Sequence, residues 1–302
     1  MRIAVLTLVA ARFTLLVTLG ISGASHARDD HQNKQQGDDT ARNTTGISVQ
    51  FPDSYPEDTQ ALTTEGSAAE PPAAIPTDYP ECVILLHGLA RTGKSMKPLG
   101  DALVKEGYLV VNVDYPSRKY PVAALTEMAI PPALDKCRQY KISGISFVAH
   151  SLGGILVRHY LSQQSPSPHK IPELKRVVML APPNKGSEIT DNLRDFAPYE
   201  WLNGPAGDEL GTEAESVPNT LGPVDFDLGV IAGTTSINLL LSQYLPNPDD
   251  GKVSVESTKI EGMRDFITLP VSHPFIMKDD ESIAQIIHFL RDGKFLHSVS
   301  DE

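Results

Sequence analysis

Beyond residue 80 the chain alternates short apolar runs with stretches in which apolar residues recur at helical spacing. Unbroken apolar runs of this length predict strands that are buried on both faces. The predicted strands are residues 82–86, 108–113, 145–149, 176–180, 228–232 and 266–271. The predicted helices are residues 95–106, 122–140, 153–162 and a last helix with Ile283, Ile286, Ile287 and Leu290 on one face before Gly293.

The order of these elements predicts an α/β fold, with a mostly parallel sheet and helices on both faces. Pro131 and Pro132 fall inside the second predicted helix. They predict a break or restart there, because proline has no backbone N–H to continue the helix. Sheets of this kind carry their functional sites at the carboxyl ends of the strands. The residues that directly follow each strand are therefore the candidates for chemistry.

The first 27 residues have the pattern of a secretory signal peptide. A positively charged start, Met1-Arg2, precedes an apolar stretch over residues 3–21, and Ser25 and Ala27 are small residues at the −3 and −1 positions of a cut. The alternative is an uncleaved membrane anchor, which Arg12 disfavours because a charge near the bilayer centre costs about 3 kcal/mol. We therefore expect a secreted or periplasmic protein.

Residues 28–80 contain few large apolar side chains, and none of these recurs with a helical or strand period. This composition predicts a disordered linker between the signal peptide and an ordered domain over residues 81–297. The chain has 26 Lys and Arg against 38 Asp and Glu, a net charge of −12. Nucleic-acid binding is not expected, because it depends largely on clustered cations that this chain lacks.

The strongest chemical motif follows the third predicted strand. Ala149-His150-Ser151-Leu152-Gly153 is a variant of the Gly-x-Ser-x-Gly nucleophile elbow, in which a sharp strand-to-helix turn exposes a serine hydroxyl. Small residues are needed around this serine because strand and helix pass close together. The alternative is an ordinary serine at a helix start. The strand, turn and helix context favours Ser151 as a nucleophile.

An acyl-transfer site also needs backbone N–H donors where negative charge develops on the substrate oxygen. The first candidate is the amide of Leu152, directly after the serine. The second is the amide of Leu89, in the loop that begins with His87-Gly88 after the first predicted strand.

A serine nucleophile requires a general base and a carboxylate that orients it, in the chain order Ser, acid, His. His273 is the one histidine after Ser151 that directly follows a strand and precedes a helix; the others are His159, His169, His288 and His297. The acid is expected in the loop after residues 228–232. Asp250 is preferred because the Asp-Gly pair makes a tight turn, and Asp249 is the alternative.

These motifs together resemble the α/β-hydrolase superfamily, and within it bacterial extracellular lipases and esterases of the triacylglycerol-lipase type. The likeness rests on residues 86–89, 149–154, 249–253 and 271–274 and covers roughly residues 81–295. It implies a catalytic triad of Ser151, Asp250 and His273, with Leu89 and Leu152 at the oxyanion hole.

The implied activity is serine-dependent hydrolysis of carboxylic esters, with no cofactor and no metal. The expected partner is a small-molecule or lipid ester. Transient contact of the protein with a lipid interface is left open. Alternatives with the same triad are a thioesterase, a lipid-anchor deacylase or an acyltransferase. A non-catalytic hydrolase-like binding scaffold is the alternative from another class.

Residues 184–223 are too long for a plain connection and predict a cap or lid, with Trp201 facing substrate or anchoring the cap. An irregular excursion packed on the domain is the alternative. Cys82 and Cys137 both lie at the amino end of the sheet that the resemblance implies. A disulfide and two buried free thiols are both left open, since an oxidising compartment would permit the bond.

Overall fold

The computed structural model describes residues 45–55, 79–163, 171, 173–193, 197–237 and 239–297; at 197–202, 239 and 240 it describes the backbone alone. The signal peptide and most of the linker predicted from the sequence lie outside these residues. Within them, no helix is both long enough and apolar enough to span a bilayer.

Within the described residues, seven strands form one sheet in the order β1-β3-β2-β4-β5-β6-β7. They are β1 (Gly46–Gln50), β2 (Cys82–Leu86), β3 (Leu109–Asp114), β4 (Ile145–His150), β5 (Leu174–Leu180), β6 (Leu228–Gly233) and β7 (Asp265–Leu269). All neighbouring pairs are parallel except β1 with β3. The six strands predicted from apolar runs are therefore confirmed, as β2 to β7.

Helices cover both faces of the sheet, as the alternating pattern predicted. They are α1 (Lys97–Lys105), α2 (Val122–Arg138), α3 (Leu152–Ser162), α4 (Glu188–Leu193), α5 (Ala197–Asp208), α6 (Val217–Thr220), α7 (Leu239–Ser242), α8 (Val255–Thr258) and α9 (Asp280–Asp292). Every side chain of the central strands β2 and β4 is buried between the two helical layers.

Strand β1 was not predicted, because it lies inside the segment 28–80 interpreted as a disordered linker. It pairs antiparallel with β3, with Ile47 opposite Val113 and Val49 opposite Val111. Ile47 and Val49 pack against the main core. The strand covers the backbone groups of β3 that would otherwise form an open sheet edge. The linker interpretation is therefore wrong for residues 46–50.

The predicted break at Pro131 and Pro132 is also wrong, since α2 runs without interruption from Val122 to Arg138. The prolines leave two carbonyls without helical partners, at a cost of about 3 kcal/mol or more. Ile130 and Leu134, on either side of the pair, are buried against the sheet. This packing keeps the helix continuous.

A disulfide joins Cys82, the first residue of β2, to Cys137 in the last turn of α2. Their Cα atoms are 6.0 Å apart, and the bond closes a loop of 55 residue steps. The structure thus resolves the two alternatives that the sequence left open. The bond lies at the amino end of the sheet.

Candidate active site

Ser151 lies at the turn between β4 and α3, at the carboxyl end of the sheet. Its backbone has φ 53° and ψ −120°, a conformation that a residue with a side chain rarely adopts. A Cβ on Gly153 would lie 2.7 Å from the Leu86 carbonyl oxygen, so a larger residue would not fit there. The strand-to-helix turn therefore has the tight geometry expected from the sequence.

His273 follows β7 and lies against Ser151. Its Nε2 is 3.1 Å from the Ser151 Oγ, and its Nδ1 is 2.7 Å from the Asp250 Oδ2. All three side chains are buried, with 5%, 5% and 1% of their surface exposed for Ser151, His273 and Asp250. A carboxylate can only accept, so Nδ1–H donates to Asp250 and the bare Nε2 can accept the serine hydroxyl proton.

Asp249 and Asp250, the two candidates for the acid, have different hydrogen-bond partners in the loop after β6. Asp250 Oδ1 accepts the backbone N–H groups of Lys252 and Val253, which leaves Oδ2 for His273. Asp249 instead accepts from the Ser242 hydroxyl and from the Gly251 N–H. The structure therefore brings Asp250, and not Asp249, to the histidine.

The two predicted oxyanion donors lie beside the serine turn. A Cβ on Gly88 would be 3.0 Å from the Ser151 Cβ, so the loop that carries Leu89 passes directly against the serine. Leu152 is the first residue of α3, where a helix leaves its N–H groups without helical partners. Neither amide donates to a carbonyl in the turns and loops that the structure describes. Leu89 and Leu152 therefore stay the candidates for the oxyanion hole.

Of three comparisons of this chain with known proteins, the one with solved structures finds similar proteins. No protein-family model matches the chain, and no curated protein matches its sequence. Among solved structures, the mature form of a Bacillus licheniformis lipase, BlEst2, matches with a TM-score of 0.58 and 18% identity, covering 72% of this chain and 96% of that one. The propeptide form of the same lipase matches with a TM-score of 0.59 and 15% identity, covering 85% of this chain and 55% of that one.

Phospholipase PlaB from Legionella pneumophila matches with a TM-score of 0.56 and 17% identity, covering 71% of this chain and 60% of that one. Sequence identities this low carry information on the fold and not on the substrate. The chain has the α/β-hydrolase fold. The resemblance drawn from the sequence motifs is therefore confirmed at the level of the fold.

Within this fold, the loop that carries Leu89 is fixed by residues that sequence reasoning did not select. The Tyr115 hydroxyl donates to the His87 carbonyl, and the Ser117 hydroxyl accepts the Ala90 N–H at 3.1 Å. The Tyr115 ring stacks on the His87 ring with centroids 4.1 Å apart. Tyr115 directly follows β3 and Ser117 lies two residues further on, so their position after a strand end was the available signal.

His150, beside the nucleophile candidate, is a second residue that the sequence did not single out. Its Nε2–H donates to the His273 carbonyl at 3.1 Å, and its Nδ1 has no partner among the described residues. Burial lowers the pKa of His150 well below its ordinary value, and the neighbouring His273 lowers it further. A neutral His150 therefore connects the serine turn to the backbone of His273.

The described part of the segment 184–223 contains α4, α5 and α6 and packs beside the site. The buried Arg158 guanidinium, on the helix behind Ser151, donates to the carbonyls of Asn184, Pro218 and Gly222. It thereby ties both ends of the segment to the domain, and burial lowers its pKa to about 10. A Cβ on Gly207 would lie 3.2 Å from the Leu89 side chain. The Trp201 side chain lies outside the described residues, and the lid itself remains a prediction.

A pocket of about 210 Å³ opens beside His273 and Asp250. It is lined by Leu89, Arg91, His150, Ile237, Asp250, Gly251, Lys252, His273 and Pro274. A larger pocket of about 480 Å³ lies between β1 and the turn at residues 93–97, and none of Ser151, Asp250 and His273 lines it. Of these two pockets, the smaller one therefore contacts the candidate site, through His273 and Asp250 and not through Ser151.

Proposed function

We propose that this protein is a serine-dependent carboxylic ester hydrolase of the lipase or esterase type. The observation that carries the proposal is the buried relay from Ser151 Oγ to His273 Nε2 at 3.1 Å and from His273 Nδ1 to Asp250 Oδ2 at 2.7 Å. The three groups have the chain order, the strand-end positions and the hydrogen bonds that such a triad requires. The same fold is found in a lipase and a phospholipase, so ester hydrolysis is a reaction that this fold can support.

In the proposed reaction, Ser151 Oγ attacks the ester carbonyl carbon while His273 Nε2 takes the serine proton. Asp250 holds the ring orientation and stabilises the imidazolium. The backbone N–H groups of Leu89 and Leu152 receive the negative charge that develops on the carbonyl oxygen. His273 then returns its proton to the departing alcohol oxygen, which leaves an acyl group on Ser151. Water, activated by the same histidine, hydrolyses that ester and restores the enzyme.

The test is a series of p-nitrophenyl esters, from acetate to palmitate, given to the purified protein and to Ser151→Ala. We expect hydrolysis in the original protein and a loss of about 10⁶-fold in the variant, because the nucleophile is absent. The chain length with the highest rate distinguishes an esterase from a lipase. Ser162→Ala, at the far end of the same helix, is the matched control and should retain activity.

A folded Ser151→Ala protein that still hydrolyses these esters would contradict the proposal. If the original protein hydrolyses none of them, labelling by a fluorophosphonate separates the remaining alternatives. Labelling at Ser151 favours a thioesterase, a lipid-anchor deacylase or an acyltransferase with the same triad. Failure to label favours a non-catalytic scaffold.

We also propose that the protein acts outside the cytoplasm, in a secreted or periplasmic location. The charged, apolar and small-residue order of residues 1–27 supports export. The disulfide between Cys82 and Cys137 supports it independently, because such bonds persist mainly in oxidising compartments.

A further inference from the structure

The pocket beside the triad carries positive charge that the proposed reaction does not use. Lys252 and Arg91 both line this pocket of about 210 Å³, together with His273. Among the described residues of its lining, Asp250 is the one carboxylate. Its two oxygens are already engaged by His273 and by the backbone N–H groups of Lys252 and Val253.

Lys252 is partly buried, yet its ammonium group forms no hydrogen bond or ion pair with any described residue. Its backbone is fixed, since its N–H donates to Asp250 and its carbonyl accepts from the Ser187 hydroxyl. Burial lowers the pKa of the ammonium, Arg91 lowers it further, and Asp250 raises it. A lysine held in this way would gain from an anion that enters the pocket.

Arg91 approaches the same pocket from the opposite loop, where its N–H donates to the Gly88 carbonyl. Its guanidinium has no carboxylate partner among the described residues, whereas Arg138 pairs with Glu173 and Arg264 with Asp227. Two cations without a carboxylate partner among the described residues therefore line one small pocket, although the chain has a net charge of −12. They create a local positive field at the mouth of the candidate site.

Apart from His150 and Gly251, the other described lining residues are apolar. Leu89, Ile237 and Pro274 line it, and 63% of the Ile237 surface is exposed. Phe275, which directly follows Pro274, is 43% exposed. A ligand that satisfies both parts of the lining has an apolar portion and a negatively charged group.

We infer that Lys252 and Arg91 form an anion subsite, and that the substrate is an amphiphilic ester with a phosphate or carboxylate close to the bond that is cleaved. This inference rests on the proposed ester hydrolase function and names its substrate class. Lysine binds such groups as a point charge, and arginine adds paired N–H donors. Both residues act in substrate recognition, while Ser151, His273 and Asp250 carry the chemistry.

The experiment compares matched esters that differ in one negatively charged group. The carboxylate pair is p-nitrophenyl hemiglutarate against p-nitrophenyl valerate. The phosphate pair is dihexanoyl phosphatidic acid against dihexanoylglycerol. Hydrolysis of this pair is measured as the release of hexanoic acid. The readout is the ratio of kcat/KM for the charged ester to that for the neutral ester, in the original protein, Lys252→Met and Arg91→Met.

We expect a ratio above one in at least one pair, and the pair that responds identifies the anion. Lys252→Met should lower that ratio about tenfold to a hundredfold, because a charge-assisted hydrogen bond is lost. Arg91→Met should lower it less, since Arg91 is exposed. Lys136→Met removes the same charge from the last turn of α2, and is expected to leave the ratio unchanged.

An unchanged ratio in a folded Lys252→Met protein would overturn the inference while leaving the hydrolase proposal intact. Equal losses on charged and neutral esters would overturn it too, because they would mean that Lys252 only supports Asp250. If no ester is hydrolysed, the subsite is measured by calorimetric binding of dihexanoyl phosphatidic acid and glutarate to Ser151→Ala, with and without Lys252→Met. Equal affinities with and without Lys252→Met would then reject the subsite, and an affinity lowered about tenfold would support it.

Discussion

The two ends of the sheet in this protein are built on opposite principles. At the amino end, Cys82 of β2 is covalently joined to Cys137 of α2. At the carboxyl end, the same β2 leads to the loop beside Ser151, and β4 leads to Ser151 itself. One end adds a cross-link, whereas the other buries polar groups and holds them in place by hydrogen bonds.

Backbone strain follows the same division. Among the described residues, three that are not glycine have positive φ: Ala90, Ser151 and Ala181, at 56°, 53° and 46°. They follow the carboxyl ends of β2, β4 and β5 respectively. Such conformations cost about 1–3 kcal/mol each and persist where the surrounding structure fixes them. The comparison suggests that the amino end stabilises a domain whose carboxyl end is strained to hold a reactive group.

The largest expected effect tests the carboxyl end. Asp250→Asn should lower kcat about 10⁴-fold on p-nitrophenyl esters, because an amide can donate to His273 Nδ1 and favour the wrong tautomer. Stability should change little, because the remaining side-chain oxygen can still accept from the Lys252 and Val253 N–H groups. Steady-state kinetics and thermal unfolding on the same samples measure both quantities.

Asp249→Asn is the matched control for this change. Asp249 is equally buried, but it accepts from Ser242 and Gly251 and does not reach His273. We expect a much smaller loss of kcat and a larger loss of stability than for Asp250→Asn. The opposite order would reverse the assignment of the acid.

The sequence identified the strand ends, and most of the site follows from them. Ser151 and His273 were found because each directly follows an apolar run, and Asp250 because a glycine follows it. Strand β1 was missed because its five residues alternate between partly buried and exposed positions, and its order depends on pairing with β3. Nothing local to that segment encodes a partner more than 60 residues away.

Tertiary contacts explain the other differences between the sequence predictions and the structure. The prolines in α2 break a helix by local rules, but burial of the residues around them keeps it continuous. Lys252 is two residues from Asp250 in the sequence, and a lysine in a polar turn normally faces solvent. Only the fold places it beside Arg91 in one pocket, because the two residues come from loops after β6 and β2. The spacing of charged residues along the sequence does not predict that these two side chains share a pocket.

The amino end is tested by removing its cross-link, with an intermediate effect expected. The Cys82→Ala and Cys137→Ala double variant should lower the free energy of unfolding by about 2–4 kcal/mol, because the unfolded chain gains freedom without the bond. The kcat of the folded protein should stay unchanged, since the bond lies at the end of the sheet opposite Ser151. Urea unfolding and ester kinetics measure the two quantities.

Wild-type protein treated with a reductant controls for the packing lost with the sulfur atoms, as both cysteines are fully buried. A reduced protein as stable as the oxidised one would show that the bond does not stabilise the domain. A fall in kcat on reduction would show that the two ends of the sheet are coupled.

The smallest effect concerns Glu81, a partly buried carboxylate at the amino end that accepts from the Ser146 hydroxyl and lies 3.9 Å from the Lys175 ammonium. Burial raises the pKa of Glu81, and the Ser146 hydrogen bond and Lys175 only partly oppose this. A carboxyl group with a raised folded-state pKa contributes stability that is complete below its unfolded pKa and is lost as the pH rises through its folded pKa. Glu81→Gln cannot ionise and keeps an acceptor for Ser146, so its stability relative to wild type should increase between pH 4 and pH 7.

Glu256→Gln should show the opposite pH dependence and serves as the control. Hydrogen bonds from Lys185 and Lys259 lower the pKa of the exposed Glu256, so its contribution is present above the unfolded pKa and lost as the pH falls. Solvent screening keeps that contribution small. Urea unfolding of both variants at several pH values compares the two slopes. Slopes of the same sign would mean that burial of Glu81 does not govern its ionisation, and that the amino end does not hold a carboxylate at a cost in stability.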